Sequence, residues 1–199
     1  MPRTKKSASA LETAPEGAPV PVYQLKIALE HLLPAIWRRV LVPGDVTLYK
    51  LHQVIQAVMP WQDYHLYEFA IGGVSYGDPD PTGMTEMKNA RRIRLSQLVG
   101  EKGKFLYTYD FGDSWEHKVQ VEKLLAPDPA VKYPVCVAGE YACPPEDCGG
   151  PPGYVAFLEA IADPEHPEHD DMLEWIGGEF DPMTFDLEEV NQALARFRW

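Results

Sequence analysis

Between residues 104 and 124 the chain alternates with a period of two on both sides of a four-residue connector, the signature of an antiparallel β-hairpin. Phe105, Tyr107 and Tyr109 share one face, with Leu106, Thr108 and Asp110 on the other. After Phe111-Gly112-Asp113-Ser114, a second run puts Trp115, His117, Val119 and Val121 on one face and Glu116, Lys118, Gln120 and Glu122 opposite. Glycine and aspartate in the connector supply the backbone conformations of a tight turn, with room for a bulge.

The same alternation predicts a strand from Val22 through Leu29, a second from Ile36 to Val42 carrying Trp37, Arg38 and Arg39, and a third from His65 to Ile71. Thr47 is placed to cap a helix whose Leu48, Leu51, Val54, Ile55 and Val58 lie along one face, and Pro60 ends it. Residues 72–83 read as a turn-rich stretch, and 126–153 as a long loop rich in proline and cysteine, too long to be a passive connection. Tyr154, Phe157, Leu158 and Ile161 then mark a helix, and Met172, Leu173 and Ile176 a short one stopped by Gly177-Gly178. Asp186 and Glu189 resemble a capping box opening a last helix through Leu187, Val190, Leu194 and Phe197. Strands first and helices last predict an α+β fold: a mainly antiparallel sheet with helices packed on one face and a helical C-terminal part.

A chain of 199 residues fits one domain, read here as 21–199. Residues 1–20, rich in Ala, Pro, Ser and charge, read as a disordered tail because they lack the apolar surface that offsets ordering entropy. The net charge of −12 is unevenly placed: residues 133–195 hold fifteen acids and no Lys or Arg. That segment repels phosphate backbones and suits a basic protein partner or metal cations, or serves as a solvated surface. Nucleic acid is thereby disfavoured. With three cysteines, an odd number, and no apolar run long enough for a signal peptide or membrane helix, the expected compartment is the cytoplasm.

Two constellations carry candidate chemistry. Cys136, Cys143 and Cys148 lie within thirteen residues and, with His117 (or His166 or His169) as a fourth ligand, make a candidate zinc site. Cys136 and Cys143 also read as small buried hydrophobes in the loop. Asp110, Asp113, His117, Glu146 and Asp147 are the candidate catalytic set, since carboxylates with one imidazole suit a divalent cation that activates water. Their structural reading is turn and loop hydrogen bonding. Trp37, Trp61, Tyr107, Tyr109 and Trp115 read either as packing or as an aromatic recognition pocket, and His52 and His65 as core histidines. Lys88, Arg91, Arg92 and Arg94, with Arg38 and Arg39, form the basic patch.

Three stretches together resemble the plasmid pRiA4b ORF-3-like family, also labelled TnpR-like passenger proteins of insertion sequences. They are Ile36-Trp37-Arg38-Arg39-Val40 with Leu51-His52-Gln53-Val54-Ile55-Gln56 and Trp61…His65-Leu66; Tyr107 to His117; and Cys143-Pro144-Pro145-Glu146-Asp147-Cys148-Gly149-Gly150 with Gly153-Tyr154 and Phe180-Asp181-Pro182. The resemblance implies plasmid or mobile-element company and no particular reaction. No serine-recombinase constellation accompanies it. The function read from the sequence is a non-enzymatic protein-interaction module with an acidic C-terminal third. A metal-dependent, hydrolase-like enzyme and a nucleic-acid-handling accessory protein are the alternatives.

Overall fold

The computed structural model describes residues 19–79 and 86–196. All but the last two residues of the expected tail, and Phe197, lie outside them. The chain runs β1 (Val22–Leu29), β2 (Trp37–Pro43), α1 (Leu48–Val58), β3 (Tyr67–Ile71), β4 (Val74–Gly77), β5 (Lys88–Asn89), β6 (Lys104–Tyr109), β7 (Trp115–Leu125), β8 (Val135–Glu140), α2 (Gly150–Ala162), α3 (His169–Ile176) and α4 (Leu187–Arg196). The eight strands form one sheet in the order β5-β4-β3-β6-β7-β1-β2-β8, antiparallel throughout except for the β4–β5 pair. The fold is therefore α+β around a mostly antiparallel sheet.

The predicted hairpin is the pair β6–β7, with Phe105 opposite Val119, Tyr107 opposite His117 and Tyr109 opposite Trp115. All six side chains are buried, so one face of the hairpin is core. Leu25, Ile27, Val40 and Val42 continue that core on the neighbouring strands, and α1 contributes Leu48, Leu51, Val54 and Ile55. Thr47 caps α1 as its sequence predicts, its hydroxyl accepting from the Lys50 amide at 3.3 Å.

Arg38 closes the other end of α1. Its guanidinium is 2% exposed, donates to the Val58 carbonyl at 3.0 Å and to the Trp37 and Glu140 carbonyls at 2.9 Å, and lies 4.4 Å from the Phe185 ring centroid. A cation at a helix C-terminus meets otherwise unpaired carbonyls, which explains a buried arginine with no carboxylate partner among the described residues.

Two strands lie inside segments whose sequence predicts loops. β8 falls within 126–153, where only Cys136 of its six residues is buried, so no alternation announces it. As an edge strand it leaves backbone groups unpaired, and Asn191 of α4 bridges them, accepting from the Cys136 amide and donating to its carbonyl at 2.9 Å each. β4, four residues long, lies in the turn-rich stretch. Among the described residues no helix is long and apolar enough to cross a membrane.

Candidate functional site

The loop between α1 and β3 is held by a closed ring of hydrogen bonds. The Asp63 amide donates to Gln56 Oε1 at 3.1 Å, which orients the Gln56 amide so that Nε2 donates to the Tyr107 hydroxyl at 3.0 Å. That hydroxyl lies 2.7 Å from His52 Nδ1, and His52 Nε2 lies 2.7 Å from Asp63 Oδ1. The imidazole is thus held at both nitrogens, by the phenol on one side and the carboxylate on the other. His52 is fully buried and stacks flat on Tyr67 at 3.7 Å. It is the core histidine its apolar neighbours predict, and the ring fixes residues 59–66.

A second set of bonds fastens the Pro-Pro and Gly-Gly segment to the hairpin turn. The Tyr109 hydroxyl donates to Glu146 Oε1 at 2.6 Å and accepts from the Tyr64 amide at 3.0 Å. Glu146 Oε2 accepts from the Gln62 amide at 2.8 Å, Trp61 Nε1 donates to the Pro144 carbonyl at 2.9 Å, and the Gly149 amide donates to Asp113 Oδ2 at 3.1 Å. Gly150 has φ +68° and lies so near the Asp113 carbonyl that a Cβ would collide with it, so the close approach requires glycine. Desolvation, then the bond to Glu146, pushes the Tyr109 pKa up, which keeps its hydroxyl a donor.

These two anchorages bring three side chains from three segments to one point. His65 Nε2 lies 3.0 Å from Asp147 Oδ1 and 3.7 Å from Asp110 Oδ2, and one ligand atom from each residue falls within 4.8 Å of the others. Nε2 is shielded from solvent and has no hydrogen-bond partner among the described residues, its 3.0 Å approach to Asp147 being an ion-pair contact only. Asp110 divides its carboxylate: Oδ1 accepts from the Gly112 amide at 2.9 Å, serving the turn, while Oδ2 faces His65. The cluster is graded in exposure, with the side chains of Asp110 at 12%, His65 at 29% and Asp147 at 64%, so it opens on the Asp147 side. A nitrogen and two carboxylate oxygens so converging can hold a divalent cation and leave coordination positions for water.

Of the candidate catalytic set, Asp110 and Asp147 meet in this cluster. Asp113 and Glu146 instead bind backbone amides and the Tyr109 hydroxyl. His117 lies apart from the cluster: it is fully buried, with Nδ1 at 2.9 Å from the Trp115 carbonyl, between Tyr107 and Trp61. Burial holds its imidazole neutral, with the pKa lowered to about 4. Among the described residues the candidate zinc set is not brought together as one ligand group. β7 and β8 are separated by β1 and β2, which puts His117 roughly 14 Å from Cys136 at ~4.8 Å per strand. Cys136 Sγ donates to the Ala138 carbonyl, and burial pushes all three thiols up, Cys148 to about 12. His166 and His169 bind backbone groups near α3.

The aromatic candidates do not gather around one pocket: Tyr107, Tyr109 and Trp115 are buried in the core, while Trp61, stacked 5.1 Å from Tyr109, borders a cavity of about 370 Å³. Trp37 sits apart, between Lys26 and Arg39, bonded to Glu140. The basic patch is broken up, with Arg38 in the core, Arg39 paired to Glu122 at 2.6 Å and Arg91 paired to Asp78 at 3.1 Å. The residue missed by sequence reasoning is His65, whose position beside Leu66 at the start of an alternating run reads as strand. The structure leaves it one residue outside β3's first neighbour, free of the strand's alternation.

An α+β domain with a hairpin-centred sheet and a His–Asp–Asp cluster between hairpin turn and Pro-Pro segment is the class these observations define. A family model described as plasmid pRiA4b ORF-3-like protein matches residues 21–189, and the chain belongs to that family. It is 41% identical over 176 residues to a protein of Sinorhizobium fredii (strain NBRC 101917 / NGR234) described as "Uncharacterized protein y4hQ", covering 87% of this chain and 90% of that one. Among solved structures it is similar to the protein of unknown function MM3350 from Methanosarcina mazei Go1, with a TM-score of 0.79 and 41% identity over 86% of this chain and 97% of that one.

Proposed function

We propose that this chain binds a divalent cation through His65, Asp110 and Asp147 and uses it in hydrolase-like chemistry. The observation that carries the reading is the convergence of their three ligand atoms within 4.8 Å, with His65 Nε2 left without a hydrogen bond among the described residues. One imidazole and two carboxylates favour a borderline ion, Mn²⁺ or Zn²⁺, over Ca²⁺. Three protein ligands leave positions for water, and an ion so placed lowers that water's pKa toward neutrality. The cluster borders two cavities, one of about 610 Å³ that His65 lines and one of about 370 Å³ that Asp147 lines, so a substrate has access from either side.

Ion binding to the folded state alone raises its stability by about 2.7 kcal/mol at a hundredfold excess over Kd. A chain of this size then gains roughly 5–10 °C in melting temperature. Asp147→Asn, the most exposed ligand, should remove most of that gain. No shift with Zn²⁺, Mn²⁺ or Mg²⁺, or an equal shift in Asp147→Asn, contradicts the reading.

A second reading, the non-enzymatic interaction module, has its own observation. None of the residues of α3 is buried, Trp175 on it is 46% exposed, and the helix belongs to the segment 133–195, which holds fifteen acids and no basic residue. A basic partner seated there would be recovered in a pulldown at low salt and lost as salt rises. Recovery insensitive to salt counts against it.

A further inference from the structure

The cavity of about 610 Å³ is lined by Tyr49, Tyr67, Asp63, Asp78, Arg91 and five other residues beside His65, and it contains a cation clamp already in use. Arg91 lies 3.5 Å from the Tyr49 ring centroid, and its Nε and one terminal nitrogen donate to the two Asp78 oxygens at 3.1 and 3.3 Å. One aromatic ring and one carboxylate thus hold one guanidinium.

Tyr67 and Asp63 offer the same two components without the cation. Asp63 gives Oδ1 to His52 Nε2 at 2.7 Å, and its side chain, 43% exposed, lines the cavity. Tyr67 is 4% exposed, and its hydroxyl has no hydrogen-bond partner among the described residues. A buried, unpaired hydroxyl costs free energy that a ligand reaching it would relieve. Desolvation pushes the Tyr67 pKa up, so the group stays a neutral hydroxyl able to accept as well as donate.

The charge balance decides which ligand belongs there. The Arg91–Asp78 pair is neutral, Asp63 adds a further carboxylate to the wall, and the chain as a whole carries −12. An anion would enter against that field; an ammonium group enters with it. Phe111 and Leu66, 49% and 66% exposed on the cavity wall, supply apolar surface for the body of the ligand.

We propose that this cavity binds a primary ammonium group carried on an apolar stem, with the charge between Asp63 and the Tyr67 hydroxyl. The chemistry is that of a free amine or of a lysine side chain presented by a peptide. This goes beyond the divalent-cation reading and does not require it.

Isothermal titration of the full chain in chelator tests it, with phenethylamine, a blocked Ala-Lys-Ala peptide and phenyl phosphate as probes. Saturable binding of phenethylamine alone identifies a free amine; binding of the peptide as well identifies a lysine side chain. Asp63→Asn should weaken amine binding by about tenfold. Tyr67→Phe keeps the ring on His52 and removes only the unpaired hydroxyl, so it should weaken binding severalfold with no loss of melting temperature. The proposal is overturned if neither amine saturates at millimolar concentration, if phenyl phosphate binds more tightly than both, or if both variants bind the amines like the parent chain.

Discussion

Trp115 has no exposed surface and sits on the buried face of the hairpin, 5.9 Å from the Trp61 ring. Removing its ring leaves a cavity that the surrounding sheet cannot close, so Trp115→Ala is expected to cost about 3–5 kcal/mol, read from urea unfolding. A cost below about 1 kcal/mol would instead mean an open groove. Two residues on, His117 ties stability to pH. Its folded pKa of about 4 lies below the ordinary 6.5, so the unfolded chain binds the proton more readily. The folded state therefore has its full stability above pH 6.5 and loses it as pH falls to about 4, by about 3 kcal/mol in total. Unfolding measured across that window should show the loss, and His117→Leu should flatten this part of the profile.

The hairpin was legible because both its strands bury one face, so Phe105 to Tyr109 and Trp115 to Val121 alternate in the letters themselves. β8 was not, since an edge strand with one buried residue leaves no period to read. The contact between hairpin turn and Pro-Pro segment could be guessed from their chemistry. The role of His65 could not, because its partners come from two distant segments and its own neighbours read as strand. Tyr109 is the joint between these elements: its hydroxyl binds Glu146 and meets the amides of Tyr64 and His65. Tyr109→Phe keeps the ring and loses those bonds, at about 1–3 kcal/mol for the groups left unpaired. Amide hydrogen exchange should show where: the Gly149 amide, protected by Asp113, exchanges faster while β6 and β7 stay protected. Unchanged exchange at Gly149 would show that the Pro-Pro segment holds its place without Tyr109.

Across the whole molecule, charge and fold act together. An antiparallel sheet sets the hairpin turn beside the α1–β3 loop, and the acidic segment that follows β8 returns to close over both, bringing Asp147 to His65 and Asp110. Two carboxylates beside a ring nitrogen are mutually repulsive until a cation lies between them, which links the acidity of this third of the chain to the site it completes. Isothermal titration of Mn²⁺ into the chelator-stripped chain and into His65→Ala tests that link most directly. One ion per chain, with affinity at least about tenfold weaker in His65→Ala, is the predicted result. Equal affinity in the two proteins, or no saturable binding in either, would contradict it.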